Sequence, residues 1–260
     1  MKDFIVKKIG VKPAMKSPIL IEGLPGVGNV ARIATDYLID KLKAKKIFEL
    51  YSFYFPNTSF ITEDKLIEIP KIEVYHVKKS GKDIIFMVGD AQPGEEYPSY
   101  AFSQALVDFA KDLKVKEIVT LGGIASKATK NPSVHAAMTD VKYKSNLKKA
   151  GALLNRKGSV ILIGAAGLML GLGNLENIKG FTLLAETSAE MGSMGFEAAK
   201  SIVEVLVKYF KLNISTKDLD AEIKNHDLKN VPKVGRRTMR KMRKLGSPGE
   251  PDQKCMGYIG

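Results

Sequence analysis

The chain has 260 residues, 45% of them apolar and 27% charged, which supplies a sizeable α/β core and excludes disorder over most of its length. Its formal charge of +13 favours an acidic partner only where the excess gathers, and much of it gathers late: seven Lys or Arg and no acid lie between Val231 and Leu245. A single cysteine, Cys255, excludes an intrachain disulfide and, with only three histidines, argues against a thiolate-rich zinc site.

In chain order, the start MKDFIVKKIG mixes acid and base into its apolar stretch and lacks the hydrophobic region of a signal peptide. Phe4 to Ile9 reads as a first β-like piece and Pro13 to Pro18 as a turn. ILIEG then reads as a buried strand that runs into glycines at 23, 26 and 28. From Asn29, a residue able to cap, Val30, Ile33, Ala34, Tyr37, Leu38 and Leu42 fall near one helical face. KKIFEL at 45–50 is the next strand, so strand, turn, helix and strand suggest a βαβ unit.

Tyr51 to Val77 is an excursion of short strands, TSFI and KIEVYHV among them. KDIIFMVGD resumes the buried-strand pattern, Tyr97 to Asp112 is an amphipathic helix, EIVTLGG is another apolar strand, and VILIGAAG repeats the arrangement around 160–167. Strand ends reading GD, GG and GAAG suit a parallel α/β sheet whose loops gather beyond its carboxyl edge. Ala198 to Tyr209 is a long amphipathic helix and Thr216 to Asn225 a second, before a basic run and a Gly- and Pro-containing end. ILIGAAGLMLGLG at 161–173 is shorter than the roughly 18 apolar residues of a spanning helix. We therefore expect a cytoplasmic protein with no membrane partner.

Four places invite chemistry. In IEGLPGVGNVA, a Walker-type turn is missing its lysine and hydroxyl residue, since Asn29 follows Gly28 and the next lysine is Lys41. The spacing Gly26, Gly28, Ala31 meets the dinucleotide pattern, with Glu49 about where a ribose-binding acid belongs; a close-packed structural turn and an anion at the helix start are the other readings. GDAQPGEEYPS is polar after an apolar strand, so Asp90, beside Gln92, Glu95 and Glu96, reads as a base, a metal ligand or an acceptor of turn N–H groups. Ser126 and Lys127 beside Gly122 and Gly123 lack a paired base and read as a structural loop. His76, His135 and His226 are scattered without metal-ligand spacing, and VGRRTMRKMRK lacks aromatics for stacking on single strands.

The order of IEGLPGVGNVA, GDAQP, TLGGIA at 120–125, GAAGLMLG at 164–171 and LLAETS at 183–188 resembles archaeal members of the PAC2 family over roughly residues 17–210. The family groups with relatives of proteasome assembly chaperones and was formerly described with ATP-dependent carboligases. The resemblance implies a three-layer α/β/α core, self-association, a helical carboxyl-terminal part and engagement of proteasome core subunits without turnover. Some members end in a hydrophobic-Tyr-X motif that enters pockets of the proteasome α-ring. This chain ends CMGYIG, with Tyr258 third from the end before Ile259 and Gly260, so the motif is not met.

The expectation is thus an α/β protein: a three-layer α/β/α sandwich with a mostly parallel central sheet over residues 1–210, a helical appendage at 211–230 and a basic, flexible tail at 231–260. Its function reads as a non-enzymatic homo-oligomeric chaperone or scaffold for proteasome subunits or a related protein factor, with no cofactor, metal or catalytic residue assigned. Candidate structural or ligand loops carry Gly23, Gly26, Gly28, Asp90, Gln92, Gly122, Gly123 and Gly167. The candidate partner-binding tail carries Arg236, Arg237, Arg240, Tyr258 and Gly260. Two alternatives stay open: a nucleotide-dependent ligase or small-molecule enzyme using the strand-end loops, and nucleic-acid binding through the basic tail.

Overall fold

The structure is a computed structural model that describes residues 4–62, 64–126, 131–154, 161–190 and 193–216. The strands are β1 (Phe4–Lys8), β2 (Ile19–Gly23), β3 (Lys45–Ser52), β4 (Phe60–Ile61), β5 (Ile67–Glu68), β6 (Ile72–Lys79), β7 (Lys82–Gly89), β8 (Glu117–Ala125), β9 (Val134–Met138) and β10 (Lys179–Thr187). The helices are α1 (Val30–Leu42), α2 (Glu96–Asp112), α3 (Lys144–Ala150), α4 (Ala165–Leu175) and α5 (Phe196–Phe210). Eight strands form one sheet in the order β1-β3-β6-β7-β2-β8-β10-β9, and β4 and β5 form a separate small hairpin.

The sheet is mixed, not mostly parallel. Parallel pairing is confined to β7-β2, β2-β8 and β8-β10, while β1-β3, β3-β6, β6-β7 and β10-β9 pair antiparallel. The cause is local: Ser80 and Gly81, both at positive φ (50° and 72°), close β6 onto β7 in a two-residue turn, and so short a connection permits only antiparallel pairing. The βαβ reading also changes. Strand β3 runs in the direction of β2 but lies beyond β7 and β6, which stand between them.

Alternation on the strands separates two cores. On β2, Ile21 joins Ala34 and Leu38 of α1, Leu147 of α3 and Ile202 and Leu206 of α5. Its neighbour Leu20 points the other way, toward Phe102 and Leu106 of α2 and Met169 of α4. The protein is therefore a three-layer α/β/α sandwich, with α1, α3 and α5 on one face and α2 and α4 on the other. In α5 the buried positions Ala198, Ala199, Ile202, Val203, Val205, Leu206 and Phe210 form the stripe that seats it.

One predicted element is different in kind. The apolar run around 160–167 is not a strand in its described part: residues 161–164 are irregular, and the run continues as α4, while the strand of this region is β10. A short continuous apolar run fits a buried strand or a buried helix equally well, and only its length, here carried on to Leu175, separates them. Beyond Phe210, residues 211–216 are irregular; the rest of the expected appendage, the tail 231–260, Lys127, His226 and Cys255 lie outside the described residues.

Candidate functional site

The carboxyl ends of β2, β7, β8 and β10 meet at one edge, where sequence reasoning gathers most of its candidate residues. After β2, Leu24 to Gly26 leads into a single 3-10 turn, Val27–Asn29, closed by Asn29 N donating to Gly26 O at 2.8 Å. Gly28 and Asn29 are both left-handed, at φ 61° and 52°, which reverses the chain within two residues before α1 starts. Asn29 occupies the N-cap position but its side chain makes no capping bond, and its buried Oδ1 has no hydrogen-bond partner.

The room that the glycines leave is taken by the protein itself. A Cβ on Gly28 would stand 2.8 Å from Oγ1 of Thr187 at the end of β10, and Gly28 O accepts from Gly195 N at 2.8 Å. Gly123, at the end of β8, lies against the carbonyl oxygen of Val27, and Gly23 lies against the side chain of Thr35. Gly122 faces Leu184, whose Cδ2 would be 2.9 Å from an added Cβ. Gly26 alone of the turn's glycines faces open space, with nothing within 4 Å of an added Cβ.

Gln92 ties this turn to the other helical layer. Its Nε2 donates to Pro25 O at 2.7 Å, and its Oε1 accepts from Ala165 N, the first residue of α4, at 3.0 Å. Gly164, at φ 94°, makes the approach possible, since a Cβ there would meet Gln92 Oε1 at 3.0 Å. The start of α4 thereby spends its first N–H on a side chain of the same chain. Gly167 lies within α4, against Leu162, rather than at a strand end.

Asp90 closes the end of β7. Its N donates to Lys71 O at 3.0 Å and its Oδ2 accepts from Lys71 N at 3.2 Å, a reciprocal pair that holds the β6 start against the β7 end. Beneath it lies Arg32 of α1, 2% exposed, a residue that sequence reasoning passes over. Arg32 Nε donates to Asp36 Oδ2 at 2.8 Å, its Nη1 donates to Gly89 O at 2.6 Å, and Asp90 Oδ1 stands 3.8 Å away. Burial works against the charge, but Asp36 and Asp90 outweigh it and hold the guanidinium ionised. The signal in the sequence is an Arg–Asp pair at i and i+4 inside a helix whose neighbouring positions are largely apolar.

Glu22 is the second such residue, an acid in an otherwise apolar strand. It is 1% exposed; Oε1 accepts from Leu24 N at 2.7 Å and Oε2 has no partner. Burial pushes its carboxyl up to about 8, against the opposing effect of the Leu24 donor and the nearby Leu121 backbone, so the folded protein carries it protonated at neutral pH. Glu22 pairs in register with Thr120 of β8, and Thr120 with Thr182 of β10; both threonine hydroxyls are likewise buried without a partner.

Glu49 does not reach the turn. It lies on β3, where it bonds Lys46 Nζ at 2.8 Å and Tyr51 Oη at 2.9 Å, with Lys71 Nζ at 3.6 Å. Despite partial burial, these partners lower its carboxyl to about 2, and β6 and β7 separate β3 from β2. That placement removes the ribose-binding acid from the dinucleotide pattern. Ser126 is exposed and bonds through its N to Thr187 O at 2.8 Å. His76 pairs with Asp83 at 2.8 Å and His135 with Glu186 at 3.1 Å, on separate elements. Among the described residues there is no cluster of three or more His, Cys, Asp or Glu suited to a metal, and no helix long and apolar enough to cross a membrane. Arg236, Arg237, Arg240, Tyr258 and Gly260 lie outside the described residues.

Comparison with known proteins places this geometry in a family. The model of the PAC2 family matches residues 20–227. An uncharacterized protein of Methanocaldococcus jannaschii is 28% identical over 261 residues, spanning 100% of this chain and 99% of that protein. Among solved structures, Pyrococcus furiosus PbaB, an archaeal proteasome activator, is 29% identical, with a TM-score of 0.80 over 94% of this chain and 99% of that one. Pyrococcus furiosus PbaA, an archaeal homolog of proteasome-assembly chaperone, is 25% identical, with a TM-score of 0.70 over 94% and 98% of the two chains.

Proposed function

This chain belongs to the PAC2 family, and from that premise we propose that it is a homo-oligomeric chaperone or scaffold that engages proteasome subunits or a closely related factor and acts by binding rather than turnover. The observation that carries the reading is the likeness to PbaB, a proteasome activator, along 99% of that protein's length. The strand edge supports it from the physical side. Gln92, Asp90 and Arg32 spend their polar atoms on Pro25, Ala165, Lys71, Gly89 and Asp36. A loop so tied suits a framework for a surface, and the solved structures of similar architecture include an archaeal proteasome activator and an archaeal homolog of proteasome-assembly chaperone.

The test is native co-purification of the full chain from its own cell extract, with quantitative identification of what is retained. Proteasome α or β subunits should be recovered in near-stoichiometric amounts and should be lost at high salt or on competition with untagged protein. Recovery of no proteasome subunit, alongside measurable heat on titrating ATP or NAD into the purified protein, would move the chain to the small-molecule enzyme reading.

A further inference from the structure

The sheet edge opposite the glycine turn is where β2, β7, β8 and β10 begin and where α1, α2, α4 and α5 end. Each connection that turns over there carries or adjoins a lysine, and bonds between neighbouring connections join them into one surface. Lys116 N donates to Pro18 O at 2.9 Å, Lys16 N to Asp83 Oδ2 at 2.9 Å and Ser80 Oγ to Lys211 O at 3.1 Å. Lys16, Lys78, Lys82, Lys116 and Lys211 are exposed and stand in no salt bridge among the described residues. The acids of this edge do not balance them. Asp83 is buried, Glu117 is half-buried against Tyr143, Asp140 pairs with Lys142 and Glu176 with Lys111, and Asp40 and Asp112 are exposed near the ends of α1 and α2. Glu95, Glu96, Glu190 and Glu197 are exposed at the other edge.

Local folding does not ask for lysine at several of these positions. Lys79 stands directly opposite Lys82 across the β6-β7 turn, a like-charge pair that weakens the hairpin. Lys43, Lys114 and Lys211 follow the ends of α1, α2 and α5 at φ 54°, 60° and 54°, left-handed positions where glycine is the usual residue. A cation in the last turn answers the helix dipole, and Lys41, Lys111 and Lys208 already supply it. The charge itself is what these choices have in common.

We propose that this lysine edge is the docking surface for an acidic face of a partner protein. This rests on the proposed function and names both the surface and the chemistry of what it meets. Three features select a protein over a phosphate polymer. The one arginine among the described residues, Arg32, is buried at the other edge, so the edge has no bidentate group to grip phosphate. The helix starts, whose N–H groups suit phosphate, also lie at the other edge, and this one turns the negative ends of four helices outward. Only long-stemmed lysines then reach an anion, as a carboxylate at the tip of a side chain allows. Val11, Val141 and Leu175, 84%, 81% and 78% exposed, stand among the lysines, and dry contacts of that kind belong to protein interfaces. Such a surface steers an acidic partner onto one end of the molecule.

Association of the full chain with proteasome core particles purified from its own cells, followed across ionic strength, tests this with two variants. Lys78→Glu, Lys82→Glu and Lys116→Glu together reverse three charges at the edge; Lys65→Glu, Lys148→Glu and Lys149→Glu reverse three exposed charges elsewhere and match the first variant in net charge. The edge variant should associate at least about tenfold more slowly than wild type at low salt, with the gap closing at high salt, while the control stays within about threefold. Both should keep the wild-type melting temperature. Equal association of all three proteins would overturn the lysine edge and leave the proteasome reading standing. If the wild type does not bind the particles, that reading falls and poly-L-glutamate becomes the probe: a loss confined to the edge variant upholds the edge, and equal binding overturns it. Stronger binding to a single-stranded RNA or to phosphatidylglycerol vesicles, lost in the edge variant alone, would overturn the acidic protein as the partner.

Discussion

The side-chain amide of Gln92 donates to the carbonyl oxygen of Pro25 at 2.7 Å. One residue thereby fastens the glycine turn after β2 to the loop after β7, and with its other atom, Oε1, it receives Ala165 N at the start of α4. Three loops that the chain visits far apart are held by a single planar group. Replacing it by Ala removes both bonds and leaves Pro25 O and Ala165 N to find water or remain unpaired, a loss of about 1–3 kcal/mol. Gln92→Glu keeps the acceptor for Ala165 but turns a carboxylate oxygen onto Pro25 O, acceptor against acceptor, so its urea midpoint at neutral pH should fall below that of wild type and recover in part at acidic pH, where a protonated carboxyl can donate.

The glycines of the same turn differ sharply in what they tolerate. Gly28→Ala places a Cβ at φ 61° and 2.8 Å from Thr187 Oγ1, so both backbone and packing oppose it, at about 1–3 kcal/mol. Gly123→Ala drives a Cβ into the Val27 carbonyl and should cost at least as much. Gly26→Ala meets open space and should leave the melting temperature nearly unchanged. Were the turn instead a cradle kept open for a phosphate, Gly28→Ala would fold with normal stability and lose only ligand binding.

How much of this is legible in the sequence differs by element. The amphipathic helices α1, α2 and α5 declare themselves within two residues at each end, because one apolar stripe on a polar helix has no other reading. Helix α4 does not, since a helix with apolar residues on both sides has no stripe. The antiparallel half of the sheet is written in Ser80-Gly81 between two apolar runs, a turn signal that the larger βαβ pattern overshadows. At the strand edge, the glycines and Asp90 are visible as residue types. Their partners Thr187 and Gly195, and the Pro25 and Ala165 groups that meet Gln92, come from distant parts of the chain and are unreadable without the fold. Glu22 and Arg32 answer to one rule that flags both: an ionisable residue in an apolar stretch needs a reason.

Glu22 makes stability depend on pH in a definite direction. Its carboxyl lies at about 8 in the folded protein against an ordinary 4.5, so between those values the folded state keeps a proton that the unfolded state has released. The stabilisation is complete below pH 4.5 and is lost progressively as pH rises toward 8, with a slope approaching about 1.4 kcal/mol per pH unit. Glu22→Gln keeps an acceptor for Leu24 N and cannot ionise. Its unfolding free energy, relative to wild type, should therefore rise as pH increases from about 5 to about 8. A difference that stays flat over that interval would mean that the folded carboxyl titrates normally.

The buried ion pair of α1 gives the sharpest stability test of the same edge. Arg32 and Asp36 bond at 2.8 Å with side chains only 3% and 7% exposed, so removing either partner strands a charge out of water. Arg32→Met leaves Asp36 and the nearby Asp90 facing each other without their cation and also deprives Gly89 O of its donor, a cost of about 3–5 kcal/mol. Asp36→Leu leaves the guanidinium with only Gly89 O at 2.6 Å and Asp90 at 3.8 Å, a smaller loss in the same direction. The double variant removes both charges together, and an apolar pair of similar volume in that place recovers much of what each single change loses. The double-mutant cycle, read from urea unfolding, should accordingly show strong coupling, with the double variant more stable than Arg32→Met alone. Additive effects of less than about 1 kcal/mol each would mean that water reaches the pair and that the turn above it is looser than this packing requires.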